Sequence, residues 1–263
     1  MAEEDAGDLD TSDWALPVRR VQRRPGAVVH RAQWPASVPA VAHVLDRGLD
    51  LGPATVLVGE NGAGKSTLVE ALAMLFGLDA EGGTRDHRHT TRASESSLAD
   101  VLQLSRGPGA SRRGFFLRAE TVHGFSTYLE SVGSGPSLHE MSHGQSFLSV
   151  LRTRFAGPGL YLLDEPESAL SFGGCLALVR VLHDLAASGT SQVVVATHSP
   201  LVAALPGARV LHLGDDGVSE SAWEDLPVVQ HWRSFLDDPR RYLRHLLDDS
   251  LDEGLDEGLD EGR

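Results

Sequence analysis

The stretch ATVLVGENGAGKSTLVEALAMLF, residues 54–76, decides the fold of this 263-residue chain. Its first five residues are apolar or β-branched, which predicts a buried strand. Gly59, Glu60, Asn61, Gly62, Ala63, Gly64, Lys65, Ser66 and Thr67 then match a phosphate-binding loop at every fixed position. From Ser66 to Phe76 apolar residues recur at helical spacing, and the run stops at Gly77. Glycines let backbone N–H groups turn inward on phosphate oxygens, and the helix N-terminus adds partial positive charge. Lys65 is then placed to reach the β- and γ-phosphates, and the Ser66 hydroxyl to bind Mg²⁺. Composition points to the same residue. Of 23 basic residues, 22 are arginine, and the single lysine is Lys65. A compact ammonium fits where a guanidinium fork does not.

Two further runs carry chemistry. LYLLDEP (160–166) is an apolar strand ending in adjacent carboxylates, costly at a buried strand end unless a cation or catalysis uses them. Asp164 is expected to hold Mg²⁺ through water, and Glu165 to polarise an attacking water as general base. VVVATHSP (193–200) ends a third buried run at His198, 34 residues after Asp164, where a histidine sensing a γ-phosphate would sit. His87 and His89 lack the carboxylate or cysteine company of a metal site and read as loop residues.

Strands are also expected at AVVHRAQW (27–34) and RGFFLRA (113–119), with a hairpin in RVLHLGDDGVSES turning on Asp215-Asp216-Gly217. Helices are expected at 144–155, about 170–187 and 232–247, with a short one in ESSLADVLQL. Strands alternating with helices predict a largely parallel α/β sheet. The formal charge of −14 belongs to the ends. Residues 1–13 hold six acids and no base, residues 248–263 eight acids and one base, and the 23 acids and 22 bases between them nearly cancel. We read 1–13 as a disordered acidic leader, 14–247 as one domain, and 248–263, with its threefold Leu-Asp-Glu-Gly, as a disordered low-complexity tail. Cys175 is the only cysteine, the N-terminus has no secretory pattern, and no apolar run is long enough to span a membrane. A cytoplasmic location is expected.

SLHEMSHGQSFL (137–148) completes the set. Phosphate loop, Ser-x-Gly-Gln, Leu-Leu-Asp-Glu-Pro and Thr-His-Ser, in this order, resemble the ABC-type ATPases with their SMC- and RecF-like relatives. More narrowly, the wording is similar to compact stand-alone bacterial AAA/ABC ATPases. The resemblance covers about residues 50–215. It implies a P-loop NTPase with a mostly parallel sheet, an antiparallel side sheet and a helical subdomain, reduced here to about 78–156. It also implies Mg²⁺-dependent hydrolysis of ATP sandwiched in a head-to-tail homodimer. Ser142, Gly144 and Gln145 would contact the γ-phosphate bound to the other subunit; His143 stands where a small residue is usual. The coupling element usually begins with glutamine, where this chain offers Glu120, or Gln103 earlier. No aromatic for stacking on adenine stands out, since Trp34 reads equally well as core or surface. A kinase needs neither the Ser-x-Gly-Gln helix nor the terminal histidine. The expected partner is a nucleic acid or a protein, with Arg19, Arg20, Arg23 and Arg24, or Arg240, Arg241 and Arg244, available to phosphates. The alternative, an ATP-binding subunit docked on a membrane permease, is ranked lower because the stretch between loop and signature is short.

Overall fold

The computed structural model describes residues 16–78, 97–118, 151, 155 and 157–244. Along the chain, β1 (Arg20–Arg23) is followed by α1 (Pro39–Arg47), β2 (Leu49–Asp50), β3 (Ala54–Gly59) and α2 (Lys65–Phe76). A one-turn helix α3 (Leu98–Val101) leads into β4 (Leu102–Ser105) and β5 (Gly114–Arg118). After β6 (Gly159–Asp164) come a 3₁₀ turn (Pro166–Ala169), α4 (Phe172–Ala187), β7 (Ser191–Thr197) and α5 (Pro200–Ala203). The hairpin β8 (Arg209–Gly214) and β9 (Gly217–Glu220) precedes α6 (Pro227–Asp237).

Six strands form the main sheet in the order β5-β6-β7-β3-β8-β9. The first five are parallel and only β9 is antiparallel. β3, β6 and β7 are buried at every position, as strands covered on both faces must be. Their alternation divides the core in two. Leu57, Leu160, Leu162, Val194 and Ala196 face one layer with α1 and α2. Val56, Val58, Tyr161, Leu163, Val193 and Val195 face the other with α4, α5 and α6. A period of two along each strand produces this split directly. β3 and β8 approach so closely at Gly59 that a Cβ there would lie 2.5 Å from the Leu213 carbonyl oxygen. Glycine is required at that crossing as well as in the loop beyond it.

A second, antiparallel sheet has the order β2-β1-β4. Gln192, fully buried at the start of β7, ties the chain beside it to the main sheet. Its Oε1 accepts from Val18 N at 2.8 Å, and its Nε2 donates to Val18 O at 2.6 Å and Gly52 O at 3.0 Å. Every hydrogen of the amide and one oxygen lone pair are thereby used.

The mostly parallel α/β sheet with an antiparallel side sheet agrees with expectation. Several elements do not. AVVHRAQW forms no strand; the strand lies upstream at Arg20–Arg23. There Val21 alone is buried, and the ladder is made by backbone pairing to β2 and β4 on either side. Among the described residues of ESSLADVLQL, Leu98–Val101 are helical and the chain then becomes β4. The helix expected over 232–247 is broken at Asp238: α6 begins five residues early at Pro227 and ends at Asp237, and residues 239–244 are helical again. α1 has no counterpart in the sequence reading. The leader, the tail, His87, His89, His143, most of the helical subdomain and the 144–155 helix apart from Leu151 and Phe155 lie outside the described residues. Among the described residues, no helix is long and apolar enough to cross a membrane.

Candidate nucleotide site at the carboxyl ends of the strands

The site gathers at the carboxyl ends of β3, β6 and β7, where open parallel sheets bind ligands. β3 runs into the glycine-rich loop, and Gly64 caps α2 with a left-handed φ of 94°. Such a backbone suits glycine, and a Cβ there would also meet Val38 at 3.0 Å. Glu60, Asn61 and Gly62 are exposed, and Ala63 and Thr67 half-buried. Lys65 is folded inward at 3% exposure, its Nζ donating to Gly59 O at 2.7 Å and Glu60 O at 3.0 Å. Burial pushes its ammonium below the ordinary lysine range, while Glu165, Asp164 and Glu167 pull it back up.

Asp164 closes β6 and is buried. Its Oδ1 accepts from Ser66 Oγ at 2.9 Å, and its Oδ2 lies 3.6 Å from Arg118 Nε at the end of β5. Burial raises the Asp164 carboxyl above its usual range, against the Ser66 hydrogen bond and Arg118. Arg118 also lies 3.6 Å from Glu70 on α2. Glu165, next in sequence, is the only non-glycine residue with a left-handed φ among the described residues, at 48°. Its N–H donates to Ala196 O at 2.9 Å, which fixes the turn at a cost of roughly 1–3 kcal/mol. The turn leaves Glu165 Oε1 4.0 Å from Lys65 Nζ and 3.5 Å from His198 Nδ1. His198 is half exposed.

Five expected residues, Lys65, Ser66, Asp164, Glu165 and His198, therefore come together in space. Ser142, Gly144, Gln145 and Glu120 lie outside the described residues. Gln103 does not join the site: it sits on β4, paired with Gln22 in the antiparallel sheet. Trp34 is a surface residue, 62% exposed. One neighbour, Arg118, went unread in the sequence and became visible only once β5 was laid beside β6. Glu-Ser-Ala-Leu (167–170) matches, by the resemblance, the loop that crosses between the two sites of a dimer, but the contacts of Glu167 with Thr197, His198 and Ser199 were not legible.

The donor set suits a hard divalent cation. Adjacent oxygens around six-coordinate Mg²⁺ are about 3 Å apart for bonds of about 2.1 Å, and Ser66 Oγ and Asp164 Oδ1 lie at 2.9 Å. Among the described residues no group of three or more His, Cys, Asp or Glu side chains could hold a metal by itself. Phosphate and water oxygens would have to complete such a shell.

Residues 43–168 match the sequence profile of the family described as ABC transporter. The cytochrome c biogenesis ATP-binding export protein CcmA of Rhodopseudomonas palustris (strain BisB5) is 32% identical over 175 residues, covering 62% of this chain and 85% of that protein. The zinc import ATP-binding protein ZnuC of Paracoccus denitrificans (strain Pd 1222) is 29% identical over 188 residues, covering 67% and 70%. The SMC head domain from Thermotoga maritima overlays with a TM-score of 0.39 and 14% identity, covering 66% and 92%.

These relatives overturn one expectation. A membrane permease was ranked below a nucleic-acid or protein partner, yet both sequence relatives are named as ATP-binding proteins of export or import. The basic segment taken as available to nucleic acid is also partly committed elsewhere. Arg20 pairs with Asp50 and the Arg47 carbonyl, and Arg24 donates to Leu102 O at 3.4 Å. With a relative above 30% identity matched over most of its length, and a phosphate loop facing an Asp-Glu strand end, the chain belongs to the ABC-type ATPases, the ATP-hydrolysing P-loop family.

Proposed function

We propose that this chain is the ATP-binding and hydrolysing subunit of an ABC membrane transporter, docked on a membrane-embedded permease at the cytoplasmic face. The convergence of Lys65, Ser66, Asp164 and Glu165 at the ends of two strands carries the hydrolytic part of this reading. The export and import roles in the names of the relatives support the transport part.

In this reading the backbone from Gly59 to Thr67 wraps the phosphates of ATP. Lys65 Nζ exchanges the carbonyl oxygens of Gly59 and Glu60 for phosphate oxygens. Ser66 and Asp164 hold Mg²⁺, which when bound neutralises phosphate charge that grows during transfer. Glu165 Oε1 takes a proton from the attacking water as general base. His198, on the far side of that carboxylate, orients it and contacts the γ-phosphate. Ser142, Gly144 and Gln145 contact the γ-phosphate of the ATP held by the other subunit of a head-to-tail homodimer.

The test is retrieval of the tagged Glu165→Gln chain, with Mg·ATP, from detergent-solubilised membranes of its own cell. Co-retrieval of one integral membrane protein in stoichiometric amount is the expected result. Recovery with nucleic acid and without any membrane protein would sink the transport reading and leave hydrolysis untouched.

A further inference from the structure

Glu167 has a geometry that neither phosphate binding nor proton transfer uses. It lies in the 3₁₀ turn after Glu165, with its side chain 8% exposed. That burial sets it apart from Glu165, at 33%. One oxygen, Oε1, accepts three hydrogen bonds: from Thr197 Oγ1, from His198 N at 3.1 Å and from Ser199 N at 3.2 Å, the last N–H being shared with Thr197 Oγ1, which accepts from it at 2.9 Å. Those two backbone N–H groups leave the end of β7 as the chain turns into α5, where no ladder partner remains for them. A carboxylate oxygen therefore holds the backbone at His198 and at the residue after it. Charge-assisted bonds of this kind are roughly twice as strong as neutral ones.

The other oxygen argues against a purely stabilising role. Oε2 is buried and takes no hydrogen bond among the described residues, an arrangement that costs stability, since a buried polar atom without a partner loses its hydration and gains nothing in return. We infer that Glu167 is a positioning residue for hydrolysis: its carboxylate fixes the Thr197–Ser199 loop so that the His198 imidazole stands within reach of Glu165. Pro166 alone separates Glu167 from Glu165, so one short segment sets both the general base and the histidine facing it. This inference rests on the ATPase reading of the site.

A double-mutant cycle in ATP turnover tests it. Glu167→Ala should lower kcat about 10–100-fold, as small misplacements of catalytic groups do, with KM for ATP changed less than about threefold. Glu167→Gln, which keeps an acceptor oxygen without the charge, should lose about 3–10-fold. In a His198→Ala background, with turnover read by release of labelled phosphate, either change at 167 should add less than about twofold. A purely structural stitch predicts losses that multiply in the double variant, and that result overturns the inference. So does an unchanged kcat in Glu167→Ala. If Glu167→Ala does not fold, the Glu167→Gln arm of the cycle decides alone by the same criterion. Failure of the ATPase reading is separate: there the wild-type chain would show no turnover that Lys65→Ala removes.

Discussion

Ser66 Oγ and Asp164 Oδ1 are 98 residues apart in the chain and 2.9 Å apart in space. The contact joins the start of α2 to the end of β6, strands away in sheet order. It sets a hydroxyl beside a buried carboxylate, so that Asp164 carries its charge out of reach of bulk water.

Asp164→Asn should abolish most turnover, by about 10²–10³-fold, while making the nucleotide-free protein more heat-resistant. Burial raises the Asp164 carboxyl above the usual aspartate range, so the folded state binds its proton more tightly than the unfolded chain does. The associated stability is fully present below pH 3.8 and is lost as pH rises through the raised folded value. At neutral pH the charge is a burden that asparagine removes. A gain of about 1 kcal/mol would raise Tm by about 2–4 °C in a chain of this size. Paired phosphate-release and thermal-unfolding measurements check both signs, and a lower Tm would show that the Ser66 and Arg118 contacts outweigh burial.

Lys65→Arg should be as inactive as Lys65→Ala. The ammonium sits almost wholly buried between Gly59 O and Glu60 O, and a planar fork cannot enter that space in the same way. Binding of a fluorescent ATP analogue and turnover report this together; appreciable activity in the arginine variant would mean the loop opens far more than its packing suggests.

Glu165→Gln should keep ATP affinity within about threefold and reduce kcat about 10²–10⁴-fold, the range expected for loss of a general base. Equilibrium binding beside single-turnover kinetics separates the two effects. Equal losses in affinity and rate would instead assign Glu165 to binding.

Gln192→Leu should cost about 2–5 kcal/mol, because it strands Val18 N and Val18 O in a buried position and Gly52 O in a half-buried one. Urea unfolding measures it. A loss below about 1 kcal/mol would show that the segment at Val18 is held chiefly by its apolar contacts.

What the sequence disclosed follows from how local each signal is. The phosphate loop needs only neighbouring glycines and a lysine, and β3, β6 and β7 announce themselves because both of their faces are covered. β1 hides among arginines because a strand flanked on both sides is held by its backbone ladder. α1 carried legible punctuation, with Pro39 at its first turn and Gly48 just past its end, yet the sequence reading assigned no element there. Glu167 was out of reach for another reason. Its partners lie 30 to 32 residues downstream, and nothing in Pro-Glu-Ser-Ala says which way the side chain turns.

The left-handed backbone at Glu165 has an evolutionary corollary. Only glycine, and to a lesser degree asparagine or aspartate, occupies that conformation without strain. Glu165→Gly would relieve the turn and remove the general base in one step. A laboratory selection for heat tolerance, run without a screen for turnover, should therefore discover this position early and reward its loss.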